Sequence, residues 1–285
     1  MQNVLEFEKP RQGINWKNVA IVTFFHLLAL PVFVSFSWTN LAVLLIVNWI
    51  VGSLGVGLGW HRLLTHRSFK APKWLEYLLT ILGTMSMQDP PDKWVATHRM
   101  HHKYVDTDKD PHSARSGFWW PQIGWVVWGT AQDHDAATMK RYVPDLIKDR
   151  GQVLISRFFY VPIIVSAILL FAIGGWQFVV WGVFARVVVG WHTTWFVNSL
   201  SHIYGRRPHD TGDLSTNNWF VAILTFGEGW HNNHHAFPTS ARHGLSWYQF
   251  DMNWITIRLF EKLGWAEQIK LADFKPSAVE LKRAA

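Results

Sequence analysis

Four apolar runs of helix length mark the chain, at residues 19–36, 41–59, 153–173 and 176 to about 197. Each is close to the ~20 residues that a bilayer-spanning helix needs. The polar connectors are short, SWTN after the first run and GGWQ after the third, so the runs pair into two hairpins. The competing reading is a soluble α-domain with the same runs as core helices, and runs this long favour lipid over a protein core. Ionisable residues inside the runs are His26, Arg157, Arg186 and His192. Arg186 lies near mid-run, where insertion costs about 2.5–3.5 kcal/mol, so it is expected to face protein with a polar partner or to snorkel along its helix. Two further apolar stretches, WLEYLLTILGTMSM and FWWPQIGWVVWG, are shorter or broken by Pro and Gly. They are expected to lie in the membrane interface or to pack under a cap. The pattern predicts an all-α integral membrane protein, with four transmembrane helices in two hairpins and a cytoplasmic helical cap built from residues 60–152 and 198–285. Residues 1–285 form one membrane-embedded domain in this reading.

Composition strengthens the membrane assignment. Of the 285 residues, 49% are hydrophobic and only 16% charged, against roughly 25% charged in soluble domains. The 19 Trp suit the membrane interface, where indole satisfies both its apolar body and its N–H. Charge then sets orientation. Neither hairpin connector carries Lys or Arg, whereas Lys9, Arg11 and Lys17 precede the first run and residues 60–156 and 199–285 hold nearly all the other basic residues. The positive-inside rule places both termini and both long segments in the cytoplasm. The start, MQNVLEFEKPRQG, lacks the order of a secretory signal, so the first run is expected to be retained. A formal charge of +7 suits an anionic membrane surface or an acidic protein partner. With no basic run and no nucleic-acid motif, no nucleic-acid partner is expected.

The chain has no Cys, which removes thiolate metal sites, iron–sulfur clusters and thiol nucleophiles. Any metal must be held by nitrogen or oxygen. The histidines supply such a set, because HRMHH at 98–102 and HNNHH at 231–235 both reduce to HxxHH. On an α-helix, positions i, i+3 and i+4 share a face, so His98, His101 and His102 project together, as do His231, His234 and His235. HRLLTH adds His61 and His66 where the second run ends, and NSLSH adds His202 just past the fourth. If the four helices bundle, these nine meet at the cytoplasmic membrane boundary. Nine ligands are too many for one ion and suit two. Imidazole suits iron, zinc, copper and nickel alike; the membrane location and lack of thiolates tilt the choice toward oxygen chemistry on a hydrocarbon, and hence toward iron. Single histidines more often pack than ligate, so His26, His112, His134, His192, His209 and His243 keep a structural reading.

These motifs resemble the membrane-bound di-iron fatty acyl desaturases, specifically the stearoyl-type delta-9 branch. The resemblance covers residues from about 55 to 254 through HRLLTH, HRMHH, NSLSH and HNNHH in the family's order, and GWHRLLTHRSFKAP and GEGWHNNHH are similar to bacterial and cyanobacterial members. It implies two irons held by His61, His66, His98, His101, His102, His202, His231, His234 and His235, with Asn198 contributing through a bound water. It also implies a kinked acyl tunnel at Gln88, Trp94, Thr194 and Trp195, for which packing at the membrane interface is the plainer alternative. Asp106, Asp108, Asp110 and Glu228 could hydrogen-bond the outer nitrogens of ligating histidines, or stand as solvated loop acids. Animal acyl-CoA members carry Arg-Asp where this chain has Ala96 and Thr97, so the carrier stays open between CoA and membrane lipid.

The implied activity is oxygen-dependent insertion of a cis double bond between carbons nine and ten of a saturated acyl chain, in a bacterial inner membrane or a cyanobacterial membrane. Electrons would come from an external donor such as a ferredoxin or a b-type cytochrome. The nearest rival is a di-iron alkyl or acyl hydroxylase. A membrane metal transporter is the rival of another class, and it would place ionisable residues along the spans rather than at one boundary.

Overall fold

The computed structural model describes residues 13–129 and 131–273; Lys9, Arg11 and both chain termini lie outside the described residues. Helix α1 (Trp16–Ala29) starts where the Asn15 side chain accepts the Asn18 N–H at 3.2 Å. It tightens into a 3-10 turn over Leu30–Val34 at Pro31, which has no N–H to donate. Ser37 caps α2 (Trp38–Asn48) by accepting the Asn40 N–H at 3.0 Å. Without a break, α2 passes into a π-helix over Trp49–Thr65.

Three stretches are long and apolar enough to cross a membrane, Trp16–Val34, Trp38–Thr65 and Val161–Ile203. The third is interrupted. Within α5 (Val161–Val179), Gly174 (φ −141°, ψ 18°) and Gly175 (φ 63°, ψ −157°) leave helical geometry, and the chain then runs on through Val180–Ala185 into α6 (Arg186–Asn198). The expected run at 153–173 is also shorter than the hydropathy suggests. Residues up to Arg157 belong to a separate helix, Arg150–Arg157, and the apolar helix begins at Val161. Pro162 explains the restart, because a missing N–H costs nothing in a helix's first turn.

The two tight connectors meet. Asn40 donates to the Ser35 carbonyl at 2.8 Å and to Gln177 Oε1 at 3.3 Å, while Trp181 Nε1 donates to Ser35 Oγ at 3.1 Å. These polar links tie the 35–40 turn to the chain just after the Gly174–Gly175 break, roughly 30 Å along the helices from His61. Apolar side chains such as Phe33, Ile168, Leu169 and Ile173 face outward along the spans, as surfaces solvated by lipid do.

Helix α3 (Lys73–Thr84) was expected in the interface or under a cap, and it packs lengthwise on the π-helix. A Cβ added to Gly55 would stand 2.4 Å from the Gly83 nitrogen, and one on Gly59 would stand 2.9 Å from the Leu79 carbonyl, so the backbones touch through glycine. Leu58, Leu63, Leu75, Leu79 and Ile257 form the core beneath, while Trp74 and Leu78 remain exposed on the outer face. Helix α4 (Pro91–Tyr104) begins at Pro90–Pro91. Two later helices, α7 (His231–Ala236) and α8 (Met252–Lys262), complete the end that carries the histidines. Among the described residues there are isolated bridges but no named strands.

Candidate metal centre

His61 and His66 are five residues apart. On an α-helix that spacing turns them about 140° from each other; on a π-helix the i→i+5 bond brings residue i+5 back close to residue i. The His66 N–H donates to the His61 carbonyl at 3.1 Å. Their rings consequently lie 4.8 Å apart, and the π-helix is what turns HRLLTH into a pair.

The nine histidines separate into two groups, His61, His66, His98, His102 and His234 in one and His101, His202, His231 and His235 in the other, with the ligand atoms of each within 4.8 Å of one another. Each HxxHH box is therefore shared. Helix α4 sends His98 and His102 to the five-histidine group and His101 to the other; α7 sends His234 to the first and His231 and His235 to the second. The i, i+3, i+4 face is real, but its three imidazoles fan out to two centres.

Ring nitrogens converge in each group. Nε2 of His61 and His234 lie 3.1 Å apart, those of His234 and His102 3.0 Å, those of His102 and His98 3.1 Å, and those of His231 and His202 3.0 Å. Nitrogens bound at about 2.1 Å and at right angles to one metal stand about 3.0 Å apart. The Nε2 atoms of His66 and His235 are buried without a hydrogen-bond partner, a costly state unless something accepts their lone pairs. Two metal ions fit this donor set.

In four of the nine the opposite ring nitrogen is anchored. His61 Nδ1–H donates to Glu228 at 2.5 Å, His101 to Asp110 at 2.9 Å, His202 to Asp106 at 3.0 Å and His235 to Asp213 at 2.8 Å. Such carboxylates fix the tautomer, leaving Nε2 as the ligand. Burial pushes His98, His102, His231 and His234 well below the ordinary imidazole range, the neighbouring histidines adding to it. Burial also pushes His235 down to about 4, although Asp213 opposes it. Neutral imidazoles are the form a metal binds. Burial alone would raise Glu228, but Arg62 and His61 hold its carboxyl well below the usual range. Arg62 is fully buried and bridges Glu228 and Asp251 at 2.9 Å each.

Of the four acids singled out in the sequence, Asp106, Asp110 and Glu228 reach histidines, whereas Asp108 is exposed. Asp213 and His243 were missed. His243 is buried, with Nδ1 3.2 Å from Glu228 and its ring 4.4 Å from that of His234. Neither belongs to a spaced motif; only the fold brings TGDLS and ARHGL to the boxes. His112 also joins, its ring 4.5 Å from His101. His26 and His192 pair with each other at 3.2 Å, and His134 Nε2 lies 2.7 Å from Thr97 Oγ1, whose own proton goes to the Lys93 carbonyl. His209 packs on Phe237.

Two cavities meet beside the centre. One is lined by Asn18, Asp89, Gln132 and Trp195, and the other by Val51, Arg186, Leu224 and Phe226. Gln88, Trp94, His98, Thr194 and Asn198 line both. Among these, Trp94 Nε1 donates to Gln88 Oε1 at 3.2 Å, and Gln88 Nε2 donates to Thr194 Oγ1 at 3.0 Å. Two largely apolar cavities thus abut at one polar chain of side chains, beside the histidines.

A family model described as fatty acid desaturase matches residues 36–267. The chain is 49% identical to an sn-1 stearoyl-lipid 9-desaturase of Anabaena variabilis over 94% of its length and 97% of that protein. It is 45% identical to an sn-2 palmitoyl-lipid 9-desaturase of Nostoc sp. (strain 36) over 91% and 93%. It is also 47% identical to an acyl-CoA C20 Delta5-desaturase of Anemone leveillei, over 86% and 78%.

Proposed function

Because the chain belongs to the fatty acid desaturase family, we propose that it inserts a cis double bond at carbon nine of a saturated chain esterified in membrane lipid, using two irons and dioxygen. The observation that carries this reading is the pair of largely apolar cavities that adjoin at Gln88, Trp94 and Thr194 beside His98, where an acyl chain would lie next to the histidine groups. The lipid carrier rests on the 9-desaturases of Anabaena and Nostoc, named for lipid substrates. It also rests on Thr97, buried and bonded to His134, at the position where animal acyl-CoA members carry Asp.

His61, His66, His98, His102 and His234 would hold one iron, and His101, His202, His231 and His235 the other, with Asn198 contributing through a water. The irons would supply dioxygen activation, drawing two electrons from an external donor. The protein supplies position. A saturated chain has no polar handle near its reacting carbons, so Trp94, Thr194, Trp195 and Gln88 must select the bond by shape. Each turnover takes two hydrogens from adjacent carbons, consumes dioxygen, two electrons and two protons, and releases two waters.

Four crossings follow if the Gly174–Gly175 break is the tip of the second hairpin, level with the first. Basic residues gather at the histidine end and none sits in either tip, which supports both termini and the cap in the cytoplasm, in a bacterial inner or cyanobacterial membrane. The cationic cap suits an acidic ferredoxin or a b-type cytochrome as donor.

The test is expression in a host lacking unsaturated fatty acids, followed by double-bond location in lipid and CoA fractions. A cis-9 product in the lipid fraction is expected. A hydroxylated chain as the main product would overturn desaturation, and product confined to acyl-CoA would overturn the carrier.

A further inference from the structure

The segment between α3 and α4 is held by α6 at three points. The Arg186 Nη1 donates to the Met85 carbonyl at 2.7 Å, Trp191 Nε1 to the Met87 carbonyl at 3.2 Å, and Gln88 Nε2 to Thr194 Oγ1 at 3.0 Å. Arg186 is 1% exposed, and its guanidinium meets the C-terminal end of α3, where the helix dipole favours a cation. Trp191 is buried against Phe25 and stacks on Trp195.

The segment is also strained. Met87 (φ 54°) and Asp89 (φ 67°) flank Gln88 with positive φ, a region that side-chain-bearing residues seldom occupy and that persists only when its surroundings enforce it. Pro90 and Pro91 then fix the entry into α4, the helix that carries Trp94, His98, His101 and His102. One turn thus sets two things together: the side chains where the two cavities adjoin and the phase of the helix bearing three histidines.

We propose that Arg186 and Trp191 are positioning residues for regioselectivity, clamping the strained 85–89 turn so that Gln88 and Trp94 meet the acyl chain at one methylene. Neither residue need touch the reacting carbons. The inference rests on the desaturase reading of the site, and on nothing from the electron donor or lipid carrier.

The experiment compares double-bond positions in total fatty acids, by mass spectrometry of disulfide adducts, for wild type and for Trp191→Phe, Arg186→Lys and Met87→Gly. Trp191→Phe keeps a ring while removing the donor, Arg186→Lys keeps the charge but loses the fork, and Met87→Gly relaxes the turn while also removing a side chain that packs on the Trp191 cluster and lines one cavity, so Trp191→Phe is the decisive variant. Trp119→Phe, an exposed Trp, is the control. Trp191→Phe and Met87→Gly should raise the fraction of neighbouring positional isomers about tenfold, with iron content unchanged. Arg186→Lys should do the same or more if it folds. A single unshifted isomer in active Trp191→Phe and Met87→Gly would overturn the proposal. So would loss of all product with iron retained, which would make the turn part of the centre rather than of the ruler. No unsaturated product from wild type would instead remove the desaturase reading itself.

Discussion

Nδ1 of His235 lies 2.8 Å from a carboxylate oxygen of Asp213, and this contact aims Nε2 at the four-histidine group. Asp213 touches no member of the five-histidine group, so its removal should be selective. Outer carboxylates of this kind typically contribute 10- to 100-fold, roughly, in metal affinity. Asp213→Asn should weaken one of two bound irons by about that factor, read by chelator competition. Equal weakening of both would show that the groups are not separate sites.

Glycine at 55 lets α3 touch the π-helix. Gly55→Val places side-chain atoms against the Gly83 backbone, which cannot yield as a side-chain tip could. Overpacking of this kind costs about 1–3 kcal/mol. A lower thermal midpoint in detergent is expected, with a smaller effect for Val at Gly13, which has open space around it.

Asp145 accepts from both Arg99 and Arg67. Burial would raise its pKa, yet the two guanidiniums hold it below the usual carboxylate range. A depressed folded pKa means stability present above the unfolded value, near 4, and lost as pH falls through the folded one. Asp145→Asn should therefore lower the thermal midpoint at pH 7, and the gap should shrink below about pH 4. A gap that is constant with pH would assign the loss to packing instead.

If an acidic donor docks on the basic cap, raising ionic strength from about 0.05 to 0.5 M should slow reduction of the enzyme severalfold, since screening shortens steering. Stopped-flow reduction rates indifferent to salt would count against electrostatic docking.

The apolar helices were legible as apolar runs, although the structure has three stretches able to cross a membrane where the runs suggested four, and the histidine boxes were legible because spacing on a helix is written in the sequence. Other features were not. HRLLTH reads as a poor α-helical pair, and only the i→i+5 bond from the His66 N–H to the His61 carbonyl brings its rings together. The sharing of each HxxHH box between two groups depends on how α4 and α7 cross, which no local pattern encodes. Asp213 and His243 come from irregular segments whose positions are set by long-range contacts such as Asn233 Nδ2 to the His243 carbonyl. The hydropathy of residues 153–173 concealed a break at Phe158, since apolar side chains say nothing about backbone turns.

In the proposed reading, two separate histidine groups hold two irons that carry out the oxygen chemistry. The deciding measurement is iron bound per purified chain in wild type, His102→Ala and His231→Ala, with the absorbance change on admitting dioxygen to the reduced protein. Two irons in wild type, about one in each variant, and an oxygen-dependent change only in wild type are expected. One readily exchanging ion in wild type, or an undiminished change in either variant, would contradict it.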